Sequence, residues 1–492
     1  MTPRVLAALL ALALGGCAVG PSYRPATVVR PGEQLHATTA GDSSRVFFDS
    51  LATARRRDTT AAAAAQLARQ ALAFDSTAGV AWLDIIRDTT LVRLVETALR
   101  QNRTVQSAVA RIREYRAMAG EARAPWFPTV TANGSVSSQQ IALGAFPPVA
   151  FHATRFTGDL AWELDFWGRI RRGAEAANAD LGAQEAAERA AVLSLVSDVA
   201  SGYLQLLELD QEQAIAERTL ASRRATLELA RQRFSQGVIS ELDVVQFEAQ
   251  VAAPAVTLAR AERLRAQAEH NLNVLMGEAP SHIARGMSLA AAARELMVPD
   301  SLPATLLMRR PDVAQAERAL AAATARIGVA TASALPTISI TGSYGSQAGK
   351  PGDLFADQTK VYVLSAGISI PLFAGGRQSE EMRAARARTD QARAQYEQAA
   401  LNALRDANDA LVGVRAARDE SAAQATQAEA LRRALELANL RYGAGVASYL
   451  DVLDAQRSLF SAELASSQAQ LQQLTAAVQL YKALGGSWAA RR

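Results

Sequence analysis

Asp451 and Asp454 stand three positions apart in residues 441–460, RYGAGVASYLDVLDAQRSLF, so on a helix they share one face. Read from the residues alone, that face is solvated, and Arg457 is placed to pair with Asp454. A second carboxylate pair, Glu163 and Asp165, alternates onto one side of a strand. Paired carboxylates can hydrolyse glycosides, but a polar strand face close to a strand–helix junction explains them more simply. The four histidines, His36, His152, His270 and His282, are scattered without ligand spacing. No glycine-rich loop precedes a Lys-Ser or Lys-Thr pair, so no nucleotide site is expected. Cys17 is the single thiol, which excludes a disulfide framework. The residues thus predict no catalysis, no cofactor and no metal site, and any transport must be energised by a partner.

The elements that position these residues begin with a processing segment, 1–16. Arg4 is its charged start, and the apolar run that follows is too short to span a bilayer. Leu14-Gly15-Gly16-Cys17 resembles a bacterial lipobox. That resemblance implies cleavage before Cys17 and acylation of its sulfur and new amino group. Ala18 in place of Asp implies sorting to the outer membrane. Residues 17–90 read as a lipidated N-terminal tether, partly disordered over 38–60, with a short Ala-rich helix over 59–74.

The rest of the chain is said twice. Gly237 to Gly445 is 208 positions, and so is Asp243 to Asp451. Phe127-Pro128-Thr129-Val130 meets Leu335-Pro336-Thr337-Ile338, and Asn102 falls on Arg310, at the same offset. Roughly 180 residues are therefore duplicated, and such a repeat sets the architecture. The first copy covers 91–275, with a helix over 91–123, strands at about 127–140 and 152–166, and a helical hairpin turning at Gly237. A linker or equatorial segment, 276–303, joins it to the second copy, 304–484, with strands at about 335–346 and 361–372. Residues 485–492 are a tail. The long helices run for about 64 residues, or ~95 Å, which implies coiled-coil-like hairpins. Gly443 and Gly445 are expected to supply the freedom for the second turn.

Both second strands alternate. Phe156, Leu160, Trp162, Leu164 and Phe166 share one parity, as do Tyr362, Leu364, Ala366, Ile368 and Ile370. An apolar face of this kind suits lipid. Four strands cannot close a barrel, and open edges are forbidden in lipid, so the chain must oligomerise if they enter the membrane. Two chains supply eight strands and three supply twelve. The composition of the 492 residues, 49% hydrophobic but only 5% aromatic, suits long, closely packed helices. A net charge of +4 without a basic, aromatic-interleaved stripe argues against nucleic acid.

Five ordered motifs carry a family resemblance. They are LGGCAVGPSYRP after the signal, WELDFWGRIRRG at 162–173, RRPDVAQAE at 309–317, ISIPLFAGGR at 368–377, and the 441–460 stretch. With them the chain resembles the TolC/OprM-like outer-membrane factors, in particular the lipoprotein (NodT-type) branch of multidrug efflux channels. The resemblance covers about 21–488. It implies a mainly α fold with membrane β: a homotrimer whose twelve-stranded barrel is continuous with an α-helical barrel. It implies an outer-membrane duct reaching into the periplasm, anchored by lipid through Cys17. Its partners would be a periplasmic adaptor and an inner-membrane resistance–nodulation–division pump. A duct for a type I protein secretion or metal-ion export system is the alternative.

By the same resemblance, Asp451 and Asp454 match paired acidic positions at the periplasmic entrance, where three-fold symmetry makes rings of carboxylates. Asp243 is the first-copy counterpart of Asp451, whereas Gln246 stands opposite Asp454. Tyr442 matches a gate aromatic, but Ala447 stands where TolC places a latch arginine. Gly237, Val238, Gly445 and Val446, in the tips 235–240 and 444–449, match the adaptor-docking turns.

Overall fold

The computed structural model of the chain describes residues 18–23, 34–36, 88–143, 146–295, 301–303 and 309–486. The signal segment, Cys17, the 38–74 stretch and the last six residues lie outside these. The strands are β1 (Gln34–His36), β2 (Thr129–Leu143), β3 (Phe146–Leu164), β4 (Ser301–Pro303), β5 (Thr337–Ala348) and β6 (Lys360–Ser369). The helices are α1 (Thr89–Gln101), α2 (Arg103–Glu121), α3 (Arg169–Ser235), α4 (Glu241–Met276), α5 (Leu289–Glu295), α6 (Pro311–Ala332), α7 (Arg377–Gly443) and α8 (Tyr449–Ala483). Helices α3 and α7 both have 67 residues, and their first residues are 208 apart, so the repeat extends to element boundaries.

The chain divides into two compact units. The first (Met1–Pro25, Ala110–Glu185 and Gln315–Gln398) holds a four-stranded antiparallel sheet in the order β2-β3-β5-β6. The register brings Val130, Leu160, Gly342 and Leu364 onto one face, and Leu164, Ile338 and Ile368 onto the same face. Leu364 and Ile368 are more than two-thirds exposed, as is Val130. The opposite face is cross-linked by polar groups. Asn133 Nδ2 donates to Asp159 Oδ2 at 2.6 Å, and Arg155 Nη2 donates to Ser343 Oγ at 3.1 Å. Strands β2 and β6 are open edges within the chain.

Strand ends differ from the expected ones by a few residues, for local reasons. Strand β2 starts after Pro128 and β6 stops before Pro371, because proline has no N–H for the ladder. β3 reaches back to Phe146, pairing along β2 past a register shift between Ile141 and Leu143.

The second unit (Ala26–Val109, Ala186–Ala314 and Ala399–Arg492) holds the main core. Leu91, Val95, Val199, Tyr203, Leu204, Leu272, Leu289 and Leu474 are fully or almost fully buried there. Helix α3 is long and apolar enough to cross a membrane, but half of its most apolar stretch is buried, and its side chains build this core. Tyr203 donates to Asp88 Oδ2 at 2.7 Å and accepts from Gly286 N at 2.8 Å, and Asp88 caps α1 through Thr90 N.

Two expectations are corrected. The single helix over 91–123 is two helices, broken at Asn102, whose backbone is extended. Asn102 Oδ1 accepts from the N–H groups of Thr104 and Val105, starting α2 afresh. The 276–303 segment is not a plain linker, since it contains α5 and β4, and β4 pairs antiparallel with β1.

The break at Asn102 explains itself through the repeat. Asn102 Nδ2 donates to Leu275 O at 2.8 Å, and Arg310 Nη1 donates to Ala483 O at 3.0 Å. Both donors and both acceptors are 208 apart. Each copy thus ties the start of one helix to the end of another by the same bond, made with a different side chain.

Glu208 on α3 supplies a pH-dependent term. It is 9% exposed, and Ser467 Oγ of α8 donates to it at 3.3 Å. Burial first, then the neighbouring Glu212, pushes its carboxyl up to about 7, against Ser467 and Arg260. A carboxyl raised on folding stabilises fully below its unfolded value and loses that contribution as pH rises through the folded one. Going from pH 4.5 to 8 is therefore expected to remove up to about 3 kcal/mol per chain. Thermal melting across that range checks it. Glu208→Gln should flatten the profile and raise the melting temperature at pH 8; an unchanged slope would refute the assignment.

Candidate functional site

The two helical tips are built alike. At the first, Gly237 N donates to Phe234 O and Val238 N to Arg233 O, both at 2.9 Å. At the second, Gly445 N donates to Tyr442 O and Val446 N to Arg441 O, both at 3.0 Å. These paired bonds close each helix around a left-handed residue, and Gly237 (φ 74°) and Gly445 (φ 72°) adopt it without strain. Gly443 does not share this role: it is the last helical residue of α7, without a positive φ. The residues after the glycines, Val238 and Val446, are about two-thirds exposed. Apolar side chains held out at a rigid turn are available to a partner.

The next helices start on Ser240 and Ser448. Here the copies diverge. Asp243 closes a capping box: its Oδ2 accepts from Ser240 N at 2.9 Å and from Ser240 Oγ at 2.8 Å. Those bonds hold its carboxyl below the ordinary range. Asp451, at the same place in the second copy, makes no such bond among the described residues, and it is exposed. Asp454 is exposed as well, and Arg457 Nη2 reaches its Oδ1 at 2.6 Å. Within one chain Asp243 is therefore a structural cap, Asp454 is paired on a solvated face, and Asp451 is the carboxylate left uncommitted.

Tyr442 has a partner that the sequence reading did not name. Its hydroxyl accepts from Arg233 Nη1, and the guanidinium carbon lies 5.6 Å from the ring centroid. Arg233 is on α3 and Tyr442 on α7, so the contact links the two copies of the repeat. The signal was available: Arg233-Phe234 and Arg441-Tyr442 occupy matching positions. Periodicity could not show that the arginine of one copy meets the aromatic of the other. Tyr442 stacks edge-on to Tyr449 at 5.0 Å, and Tyr449 meets Phe247 at 4.5 Å. Among the described residues Leu227, Ala230 and Phe247 form a small buried cluster at the tips, with Ile239, Val244, Val251, Tyr449 and Leu453 packed against it. Regions with so little buried apolar contact open at low cost.

Arg223 sits close to this cluster. It is 4% exposed, donates to Gln250 O at 2.7 Å and lies 5.4 Å over the Phe460 ring. Burial lowers its pKa.

At the other candidate region, residues 18–23 cross the first unit as a strap. Val19 N donates to Trp167 O at 3.0 Å, Arg172 Nη2 to Gly20 O at 3.1 Å, and Tyr23 Oη to Glu317 Oε1 at 3.1 Å. Gly20 lies against Gly328, where a β-carbon would come within 2.5 Å of the opposing Cα, so only glycines allow the crossing. Cys17 itself lies outside the described residues, but its neighbour Ala18 is fixed here, packed against Gly168. Glu163 and Asp165 are both engaged close by. Glu163 forms a bidentate pair with Arg169, and Asp165 caps α3 by accepting from Ile170 N and Arg171 N.

The sequence pattern of the outer membrane efflux protein family matches residues 94–278 and 302–486, the two copies of the repeat. The toluene efflux pump outer membrane protein TtgC of Pseudomonas putida is 34% identical over 412 residues, covering 83% of this chain and 85% of its own. The outer membrane protein OprJ of Pseudomonas aeruginosa is 33% identical over 497 residues, covering 98% and 96%. The solved outer-membrane channel OprN superposes with a TM-score of 0.79 at 30% identity, over 96% of this chain and all of that one. With both repeats matched and the whole fold shared, the chain belongs to the outer membrane efflux protein family, the TolC/OprM-like channels of the bacterial outer membrane.

Proposed function

We propose that three copies of this chain form the passive exit duct of a tripartite efflux system. The observation that carries the reading is the four-stranded sheet with two open edges and an exposed apolar face. Lipid accepts such a sheet only when β6 of one copy pairs with β2 of the next until the edges vanish. Three copies give a twelve-stranded barrel, and the hairpins of α3, α4, α7 and α8 wall a helical tunnel. Residues 18–23 are held beside Trp167 and Gly168, just past the end of β3, which supports acyl chains on Cys17 sharing the outer membrane with the barrel. Gly237, Val238, Gly445 and Val446 dock a periplasmic adaptor. An inner-membrane pump of the resistance–nodulation–division type supplies the energy and selects the cargo. TtgC, by its name, serves a toluene efflux pump, which makes small molecules the expected cargo class here.

The entrance closes by two means in this reading. The Arg233–Tyr442 contact links the tips of the two copies in the absence of a latch arginine at Ala447. Asp451 and Asp454 form the acidic rings, with Asp451 the stronger cation site because no side chain among the described residues engages its carboxylate. Conductance of the purified protein in a planar bilayer tests this. Each tip hydrogen bond is worth about 1 kcal/mol, so Tyr442→Phe should favour opening roughly three- to tenfold for each of the three tips it loosens. Asp451→Ala with Asp454→Ala should raise leak and weaken divalent-cation block. Unchanged block would count against the rings, and a stable trimer that never conducts, even with these replacements, would sink the duct.

A further inference from the structure

The export reading leaves one built cleft unused. It has a volume of about 540 Å³ and is lined by Arg123, Arg171, Arg172, Trp126, Glu175 and Ala18, among others. Three guanidinium groups line it with one carboxylate, Glu175, and a second, Asp165, stands within ion-pair distance of Arg171. Arg172 is 8% exposed and holds the floor: Nη1 donates to Glu175 Oε2 at 2.7 Å, Nη2 donates to Gly20 O, and Nε has no partner among the described residues. Arg123 spends one of its side-chain donors on Asn178 Oδ1 at 2.6 Å. Arg171 stands 3.8 Å from Asp165 Oδ2.

Two further features say what kind of anion fits. Trp126 forms an apolar wall, and its carbonyl accepts from Trp162 Nε1 at 3.1 Å. Trp162 pairs with Ile340 on the apolar face of the sheet, so the wall is continuous with that face. Ala18, next to the acylation position, lines the same cleft. Guanidinium groups where an apolar, Trp-bearing face ends match the level of lipid headgroups.

We propose that the cleft binds the phosphodiester headgroup of an anionic phospholipid, with the acyl chains running up past Trp126 and Trp162. Arg123 and Arg171 receive the phosphate oxygens, and Arg172 braces the site by holding the strap. A free phosphate would use the arginines and leave the tryptophan wall bare. The inference rests on the membrane placement proposed above.

The test uses the full chain, delipidated in detergent, with native mass spectrometry of retained lipid. It is run on the Cys17→Ser form as well, so that covalent acyl chains give no signal. Dioleoylphosphatidylglycerol is expected to be retained well above dioleoylglycerol, which lacks the phosphate. Arg123→Gln with Arg171→Gln should lower that retention about tenfold, the loss of one or two charge-assisted bonds. Asn178→Asp keeps both arginines, sets a carboxylate beside Arg123, and should lower it too. Undiminished retention in these variants would overturn the proposal. So would displacement of the lipid by inorganic phosphate at comparable concentration, which would mark a free-anion site. A protein that conducts normally yet retains no phosphatidylglycerol refutes the cleft alone; one that forms no channel refutes the membrane placement.

Discussion

Leu364→Arg is expected to keep the chain out of the membrane while Ser365→Arg, one residue on, is tolerated. Leu364 is 71% exposed in the single chain and lies on the apolar face opposite Gly342, in line with Leu160 and Val130. Such a side chain has lipid as its only suitable environment in the assembled barrel. An arginine at the middle of a lipid-facing strand costs about 2–4 kcal/mol, and three-fold symmetry applies the cost three times. Ser365 pairs with Thr341 on the other face, which carries Asp159 and Arg155 and already tolerates charge. Membrane fractionation and trimer content on unboiled gels measure both variants. Equal insertion of the two would mean that the faces are assigned wrongly, and with them the barrel.

Arg310→Ala is expected to destabilise the chain by about 2–4 kcal/mol, because a mostly buried guanidinium loses its bonds to two partly exposed carboxylates and a carbonyl. The guanidinium is 8% exposed. It donates to Asp312 (3.1 and 2.8 Å), to Asp406 on α7 (3.0 Å) and to Ala483 O at the end of α8 (3.0 Å). Burial works against its charge, but the bonds to Asp312 and Asp406 outweigh burial and raise its pKa. Removing it takes the strongest donor from two carboxylates and a carbonyl, although Asp406 keeps Arg405 and Asp312 keeps Val313 N. Asn102→Ala, at the matching place, strands no charge. It removes one helix cap and one bond, and should cost only about 1–2 kcal/mol. Arg310→Ala with Asp406→Asn should recover part of the loss, since the partly buried Asp406 charge then disappears with its partner. Urea midpoints in detergent give the ranking. Equal losses at Asn102 and Arg310 would show that the carbonyl tie, and not the ion network, carries the energy.

These two cases show where sequence sufficed and where it did not. The face of Leu364 follows from alternation, because a strand's side chains change sides at every residue and nothing distant alters that. The turns at Gly237 and Gly445 follow for a similar reason, since a left-handed residue at a helix end selects glycine locally. The 208-residue offset is legible because duplication preserves spacing, and α3 and α7 start that far apart.

What only the tertiary structure decided are the contacts between copies and the tasks given to matching residues. Asn102 breaks a helix whose apolar period runs through it, because its side chain caps the next helix and reaches Leu275. Asp243 and Asp451 read identically, yet only Asp243 closes a capping box. Tyr442 finds its arginine 209 positions away in the other copy, where a search along its own tip would stop at Ala447. Periodicity and turn chemistry are short-range rules, and they fix elements, faces and boundaries. Which side chains meet across elements depends on how the helices dock, and that is where the Arg233–Tyr442 contact, the Arg310 network and the arginine-lined cleft were settled.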